Sequence, residues 1–201
     1  MDQKVNSKTY IAIFTVIILS FTGILTETSM NVTYLELSKE FSVSLGFVQW
    51  VTTGYLLMVT IIMGTTSYLL KRFQARYIQL FAAISFTIGD LMCALAPSFP
   101  IMLIGRLLQA ASTGLATPIM FHIIFTQIPR NKIASMTGIA GMVISFAPAL
   151  GPTYGGIISS TMSWRMIFWI VLPLSLISLV MGQIYIRNKP FGLINLLMFS
   201  V

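Results

Sequence analysis

The sequence predicts an all-α membrane protein, a bundle of six transmembrane helices, and three observations carry that expectation. Of its 201 residues, 56% are hydrophobic and only 8% are charged, whereas soluble domains carry about a quarter charged residues. Six stretches reach the roughly 20 mostly apolar residues that a spanning helix needs. The basic residues gather at alternate ends of those stretches, as membrane topology requires. A soluble fold this poor in charge would expose large apolar patches and aggregate. Lipid cannot satisfy backbone polar groups, so each stretch must be a helix or part of a closed barrel. The apolar runs lack the alternation of barrel strands.

The first span, roughly Tyr10–Thr33, is too long and too acidic at its far end for a cleavable signal peptide. Glu36–Ser44, with Glu36, Lys39 and Glu40, is expected as a short interfacial connection. The second span covers Gly46–Leu70 and ends on the basic residues Lys71, Arg72 and Arg76. The third, Tyr77–Ala96, carries Asp90 and Cys93, and Pro97 and Pro100 mark the turn after it. The fourth, Ile101–Ile124, carries Arg106 and His122, and Pro129, Arg130 and Lys132 follow. The fifth, Ile133–Ile158, contains the segment Ala147–Gly156, where Pro148, Gly151, Pro152, Gly155 and Gly156 crowd into ten residues. The sixth is Trp164–Ile186. Residues 1–189 thus form one six-helix bundle. Residues 190–201 are an apolar tail too short to span, either the start of a truncated seventh helix or an interfacial or out-of-frame end.

The net charge of +7 is a topology signal rather than a nucleic-acid footprint. Lys4, Lys8, Lys71, Arg72, Arg76, Arg130, Lys132, Arg187 and Lys189 all fall on one side if the helices alternate. The positive-inside rule makes that side, and both termini, cytoplasmic. A secondary attraction to anionic lipid headgroups fits the same pattern. Cys93 stands alone, so no intramolecular disulfide is expected, and its apolar helix suggests an inert buried thiol. No Gly-rich phosphate loop, catalytic triad or metal spacing is present, so no enzyme activity, cofactor or metal is expected.

Two prolines and three glycines inside a helix are costly, and on physics alone they read as a kinked, closely packed helix. The order Gly151-Pro152-x-x-Gly155-Gly156 in the fifth span, however, resembles the antiporter motif of the major facilitator superfamily. Arg106-Leu107-Leu108-Gln109-Ala110 resembles that family's Arg-x-x-Gln-Gly motif, with Ala110 for the first glycine. Gln49-Trp50-Val51, Tyr55-Leu56-Leu57 and Trp164-Arg165-Met166-Ile167-Phe168 resemble the openings of the second and sixth helices in its fourteen-span drug/proton exporters. The resemblance runs from about Thr26 to Arg187. It implies the N-terminal half of the major facilitator fold, in a bacterial cell membrane. It also implies multidrug efflux, with amphipathic or cationic compounds and protons as partners and no nucleic acid. The chain would need a second six-helix half or a second copy, and 201 residues alone are not expected to transport. The motif's implied role is a tight, bent packing surface that limits leak. Two segments depart from the family pattern. Lys71 replaces the acid of the loop after the second span, where Lys71, Arg72 and Arg76 then read as topogenic. Thr26 takes the usual aspartate position in the first span, which moves the acid to Glu27.

Glu27, Asp90 and Arg106 lie at similar depth, each about two turns from the same membrane face. Such charges are expensive unless paired, hydrated or neutralised. Arg106 shares a helix face with Gln109, Ala110, Thr113 and Thr117, and Glu27 with Ser20 and Asn31. In the family fold the first and fourth helices line the central cavity. Glu27 is therefore expected to carry the proton and Arg106 to tune it, since burial disfavours a charged carboxyl and a nearby arginine favours it. The alternative is a structural ion pair between the two. Asn31, Tyr55, Gln109 and Thr113 are candidate cavity residues, with Met58 and Phe146 as weaker ones. Asp90 is expected to snorkel outward or to pair with Arg106, because the third helix is peripheral in this fold. His122 reads as a hydrogen-bonded packing residue, with a proton relay as the alternative. Two rivals to drug export remain: a nutrient symporter on the same fold, and a truncated product or membrane scaffold that does not transport.

Overall fold

The computed structural model describes residues 7–186. The apolar segment 190–201 and the flanking cations Lys4, Arg187 and Lys189 lie outside those residues. Eight helices run in order: α1 (Ser7–Met30), α2 (Tyr34–Phe41), α3 (Leu45–Val48), α4 (Trp50–Arg72), α5 (Ala75–Ala94), α6 (Phe99–Gln127), α7 (Arg130–Thr161) and α8 (Met166–Tyr185). Among the described residues six helical stretches are long and apolar enough to cross a membrane, with α3 and α4 together forming the second. All six predicted spans are therefore present. The two longest, α6 with 29 residues and α7 with 32, outrun their predicted limits at both ends and extend about 44 and 48 Å at 1.5 Å per residue. Both lengths exceed a hydrocarbon core of about 30 Å.

The expected connection Glu36–Ser44 is mostly helical, with α2 running to Phe41. Leu37 is fully buried beneath α2, which gives that short helix an apolar anchor. Ser42 ends it in the left-handed region at φ 54°, and its N–H donates to the Ser38 carbonyl. The Ser44 hydroxyl then caps α3 by accepting from the Phe47 N–H.

α1 and α6 form the centre of the bundle. α1 packs mainly on α6, α7 and α8, while α6 packs on α1, α4 and α5, and α5 also packs on α8. Exchanging the first three spans with the last three maps α1–α7 onto α6–α4 and α1–α8 onto α6–α5. The α1–α6 and α5–α8 contacts map onto themselves. This is the three-plus-three internal repeat of many transporter folds. Small residues set the closest approaches, as expected where lipid provides no hydrophobic drive between helices. A Cβ on Gly89 would lie 2.6 Å from the Gly105 carbonyl oxygen, and one on Gly155 would lie 2.5 Å from that of Ser29. Polar side chains stitch the same contacts. Gln79 Nε2 donates to the Ser178 carbonyl at 3.2 Å, and Ser178 Oγ donates to the Thr15 carbonyl at 3.0 Å. In contrast, α4 and α7 bury few residues and turn broad apolar faces outward.

A clasp closes the end of the bundle that carries α2. The Glu40 carboxylate accepts from Trp164 Nε1 at 2.6 Å and forms an ion pair with Arg165. The other arm of Arg165 donates to the Ala96 carbonyl at 2.8 Å, and its guanidinium lies 4.4 Å from the Trp164 ring centroid. Burial pushes the Glu40 carboxyl up, but hydrogen bonds from Trp164 and Arg165, and the charge of Arg165, outweigh it and hold it below its ordinary value. A carboxyl depressed on folding stabilises the fold above its unfolded pKa, and that contribution is lost as pH falls through the lower folded value. Glu40→Gln should therefore melt earlier than the parent at neutral pH. The gap should begin to narrow below about pH 4, at the unfolded carboxyl range, and close below the lower folded value. Thermal melts across pH read this directly, and a gap that persists in acid would mean the clasp is not ionic.

Candidate functional site

The charged layer inside the bundle assembles around Arg106. Its side chain is fully buried, and its position follows from Gly105. A Cβ there would meet Cys93 Sγ at 2.8 Å and the Gly89 carbonyl oxygen at 3.0 Å, so α6 lies tight against α5 at this level. The guanidinium sits 4.3 Å from the centroid of the Tyr55 ring. This stack suits a planar delocalised cation, and it gains strength away from water. Nη1 donates to Gln109 Oε1 at 2.7 Å, one turn along α6.

Tyr55 is in turn fixed by α1 and α6. Its hydroxyl donates to the Gly23 carbonyl at 2.9 Å and lies 2.7 Å from Thr113 Oγ1. Thr113 is also within reach of the Gln109 carbonyl at 3.1 Å. Gly23 is small because Thr113 occupies the space where its Cβ would stand. Glu27, one turn further along α1, is 8% exposed. It lies within electrostatic range of Arg106. No Glu27–Arg106 contact falls within ion-pair distance; the ion pair found among the described residues is Arg165–Glu40.

Asp90 departs from its expected place. It does not snorkel outward and it does not touch Arg106 directly. It is fully buried, and Gln109 Nε2 donates to its Oδ1. The reason is the Gly89–Gly105 contact, which turns this part of α5 into the bundle and brings Asp90 against the Gln109 side chain. Paired glycines next to Asp90 and Arg106 are the sequence signal that could have located it. Cys93 is fully buried, as expected. Its Sγ–H lies 3.5 Å from the Met102 carbonyl oxygen.

Among the cavity candidates, Tyr55, Gln109 and Thr113 belong to this cluster. Asn31 is exposed beyond the end of α1, where its Oδ1 accepts from Tyr34 at 2.8 Å and Thr52 at 3.2 Å. Phe146 is exposed on α7 and Met58 is half-buried. The α7 motif divides in two. Gly151 and Gly155 are buried against α1, where Ser29 Oγ donates to the Gly151 carbonyl at 3.0 Å. Pro148 and Pro152 are exposed, and a Cβ on Gly156 would meet nothing. The implied tight packing surface thus rests on Gly151 and Gly155, and Gly156 lies outside it because that face of α7 points away from the bundle.

At the other end of the helices, Arg72 donates to the Tyr68 hydroxyl at 3.0 Å. Arg76 ties α5 to α8 through Gln183 Oε1 at 3.2 Å. Lys71 lines a cleft of about 370 Å³ between α4 and α6, together with Ser67, Pro118 and His122. No cluster of three or more metal-ligating side chains occurs among the described residues.

Comparison with known proteins agrees with this architecture. The chain is 41% identical to the lincomycin resistance protein LmrB of Listeria monocytogenes over 92% of its own length and 39% of that protein's. It is 28% identical to a multidrug resistance protein B homolog of Mycobacterium tuberculosis, over 86% of this chain and 33% of that one. The chain thus spans well under half the length of these relatives. A crystal structure of a bacterial homolog of the human lysosomal transporter Spinster superposes with a TM-score of 0.68 at 19% identity. That match covers 94% of this chain and 45% of the other, and it establishes the fold. The family model described as Major Facilitator Superfamily matches residues 16–196. This multi-pass membrane chain therefore belongs to the major facilitator superfamily.

Proposed function

We propose that the chain forms the N-terminal six-helix part of an exporter that moves amphipathic or cationic compounds out of the cell in exchange for protons. The observation that carries this reading is the buried Glu27 carboxyl in the field of the buried, Tyr55-stacked Arg106. Ionisable groups within a membrane bundle mark proton or substrate paths. Glu27 takes up and releases the proton, and Arg106 sets the balance between its two states. The exposed apolar faces of α4 and α7 offer a surface for a second bundle, and rocking of the two bundles gives alternating access. Both termini are cytoplasmic, which puts Lys71, Arg72, Arg76, Arg130 and Lys132 on the inner side.

Everted vesicles from cells expressing the gene that encodes this chain test the reading. Imposing a pH gradient should drive transport of a cationic dye, with protons moving in the opposite direction. Glu27→Gln should abolish the pH-driven component. Normal coupling in that variant would remove Glu27 from its role, and protons moving with the dye would make the protein a symporter.

A further inference from the structure

Asp90 is not used by that reading, yet its surroundings are as closely built as those of Arg106. Oδ1 accepts from Gln109 Nε2, while Oδ2 completes no geometric hydrogen bond and has the Ser175 hydroxyl of α8 facing the carboxyl. The other end of the same amide, Oε1, accepts from Arg106 Nη1 at 2.7 Å. An amide has a fixed polarity, because its nitrogen only donates and its oxygen only accepts. Gln109 can therefore serve a carboxyl at one end and a guanidinium at the other, and it cannot be reversed without losing both bonds.

The groups facing Asp90 come from every neighbouring helix. α6 contributes Arg106 and Gln109, and α8 contributes Ser175. Tyr154 of α7 and Tyr55 of α4 are within electrostatic range, as is Cys93 on its own helix. Glu27 of α1 acts on the same Tyr55 and answers to the same Arg106. The layer thus holds two carboxyls and one cation. Fully ionised, it would carry one uncompensated negative charge away from water. With one proton bound it is neutral, which is the form a buried site favours.

We propose that Asp90 is a second proton-binding carboxyl, bridged to Arg106 by Gln109, so that one guanidinium serves Glu27 and Asp90 and one proton is shared between them. The bound proton sits on Glu27 while Asp90 is ionised, or on Asp90 Oδ2 while Glu27 is ionised, and the net charge of the layer stays at zero. Glu27 is 8% exposed and Asp90 fully buried, so Glu27 exchanges with water and Asp90 is the internal holder. The proposal rests on Glu27 being the group that titrates in the export reading, and it makes Asp90 a second holder of that proton.

The test is infrared titration of the protonated-carboxyl C=O stretch on the purified intact gene product in liposomes. Wild type should lose two coupled protons in two separated steps, assigned by difference from Asp90→Asn and Glu27→Gln. In Asp90→Asn, which keeps an acceptor oxygen for Gln109, Arg106 acts on Glu27 alone. Glu27 should then release its proton at more acid pH, by about one unit or more. A purely structural Asp90 predicts no movement, and an unmoved Glu27 step would overturn the proposal. Should Asp90→Asn fail to fold, the wild-type curve still decides, because a single step assigned to Glu27 alone would overturn it equally. The readout needs no transport. Absence of proton-driven efflux would defeat the export reading and leave the shared proton standing, while an unmoved Glu27 step would defeat the sharing whatever the efflux.

Discussion

Gly155→Leu should leave little folded protein, while Gly156→Leu, one residue on, should leave the bundle intact. A Cβ at position 155 would lie 2.5 Å from the Ser29 carbonyl oxygen and 2.9 Å from the Ser29 Cα. These are backbone atoms of a neighbouring helix and cannot turn aside as a flexible side chain can. Overpacking a closed contact costs about 1–3 kcal/mol. Leucine must seat three further carbons beyond its Cβ, so the cost should reach the top of that range or pass it. It would fall on α1–α7, where Ser29 also donates to Gly151. At Gly156 the same Cβ meets nothing within 4 Å, and leucine gains helix propensity of up to about 1 kcal/mol over glycine. The monodisperse fraction on size exclusion in mild detergent, with thermal melts, separates the two variants. A Gly155→Leu protein as stable as the parent would contradict the packing described here.

Removing the buried cation should do comparable damage by a different route. Arg106→Leu leaves Gln109 Oε1 without its donor and takes the only positive charge from a layer that holds Glu27 and Asp90. Deleting one partner of a buried charged arrangement costs about 3–5 kcal/mol, because the remaining charge is left uncompensated. The deficit should shrink as pH falls, since protonating the carboxyls removes the charge that lacks a partner. Adding Asp90→Asn to Arg106→Leu should recover part of the loss at neutral pH. Arg106→Lys keeps the charge but not the flat guanidinium over Tyr55, so it should fold better than Arg106→Leu. Thermal stability as a function of pH is the measurement. A deficit of equal size at all pH values would point to lost packing rather than lost charge.

The six spans could be read from the sequence because hydrophobic length alone encodes them. Their relative placement needed other information. Pro148, Gly151, Pro152, Gly155 and Gly156 could be read together as a close-packing segment, but that only Gly151 and Gly155 meet α1 while Gly156 faces away depends on the rotation of α7 against the small residues of α1. Arg106, Gln109 and Thr113 could be grouped by helical spacing, and the structure brings them together with Tyr55. Asp90 could not be placed by helix-internal periodicity, because its direction is set by the Gly89–Gly105 contact between two helices, and only the glycines beside Asp90 and Arg106 record that contact in the sequence. The helix inside the connection after α1 was not legible for a related reason: its polar residues mark an interfacial connection, while Leu37 and the Glu40–Trp164–Arg165 clasp make most of it helical.

The crossed packing of the two helix triplets has a consequence for synthesis. α1 finds its main partners in α6, α7 and α8, all encoded after its own trio has left the ribosome. At about 5–20 residues per second, α8 follows α1 by something on the order of ten seconds. Through that interval Gly23, Ser29 and Thr15 on α1 face lipid or an insertion chaperone instead of the neighbours they were selected to fit. A ribosome that stalls before Met166 would release α1 lacking one of its main partners, a ready substrate for membrane quality control.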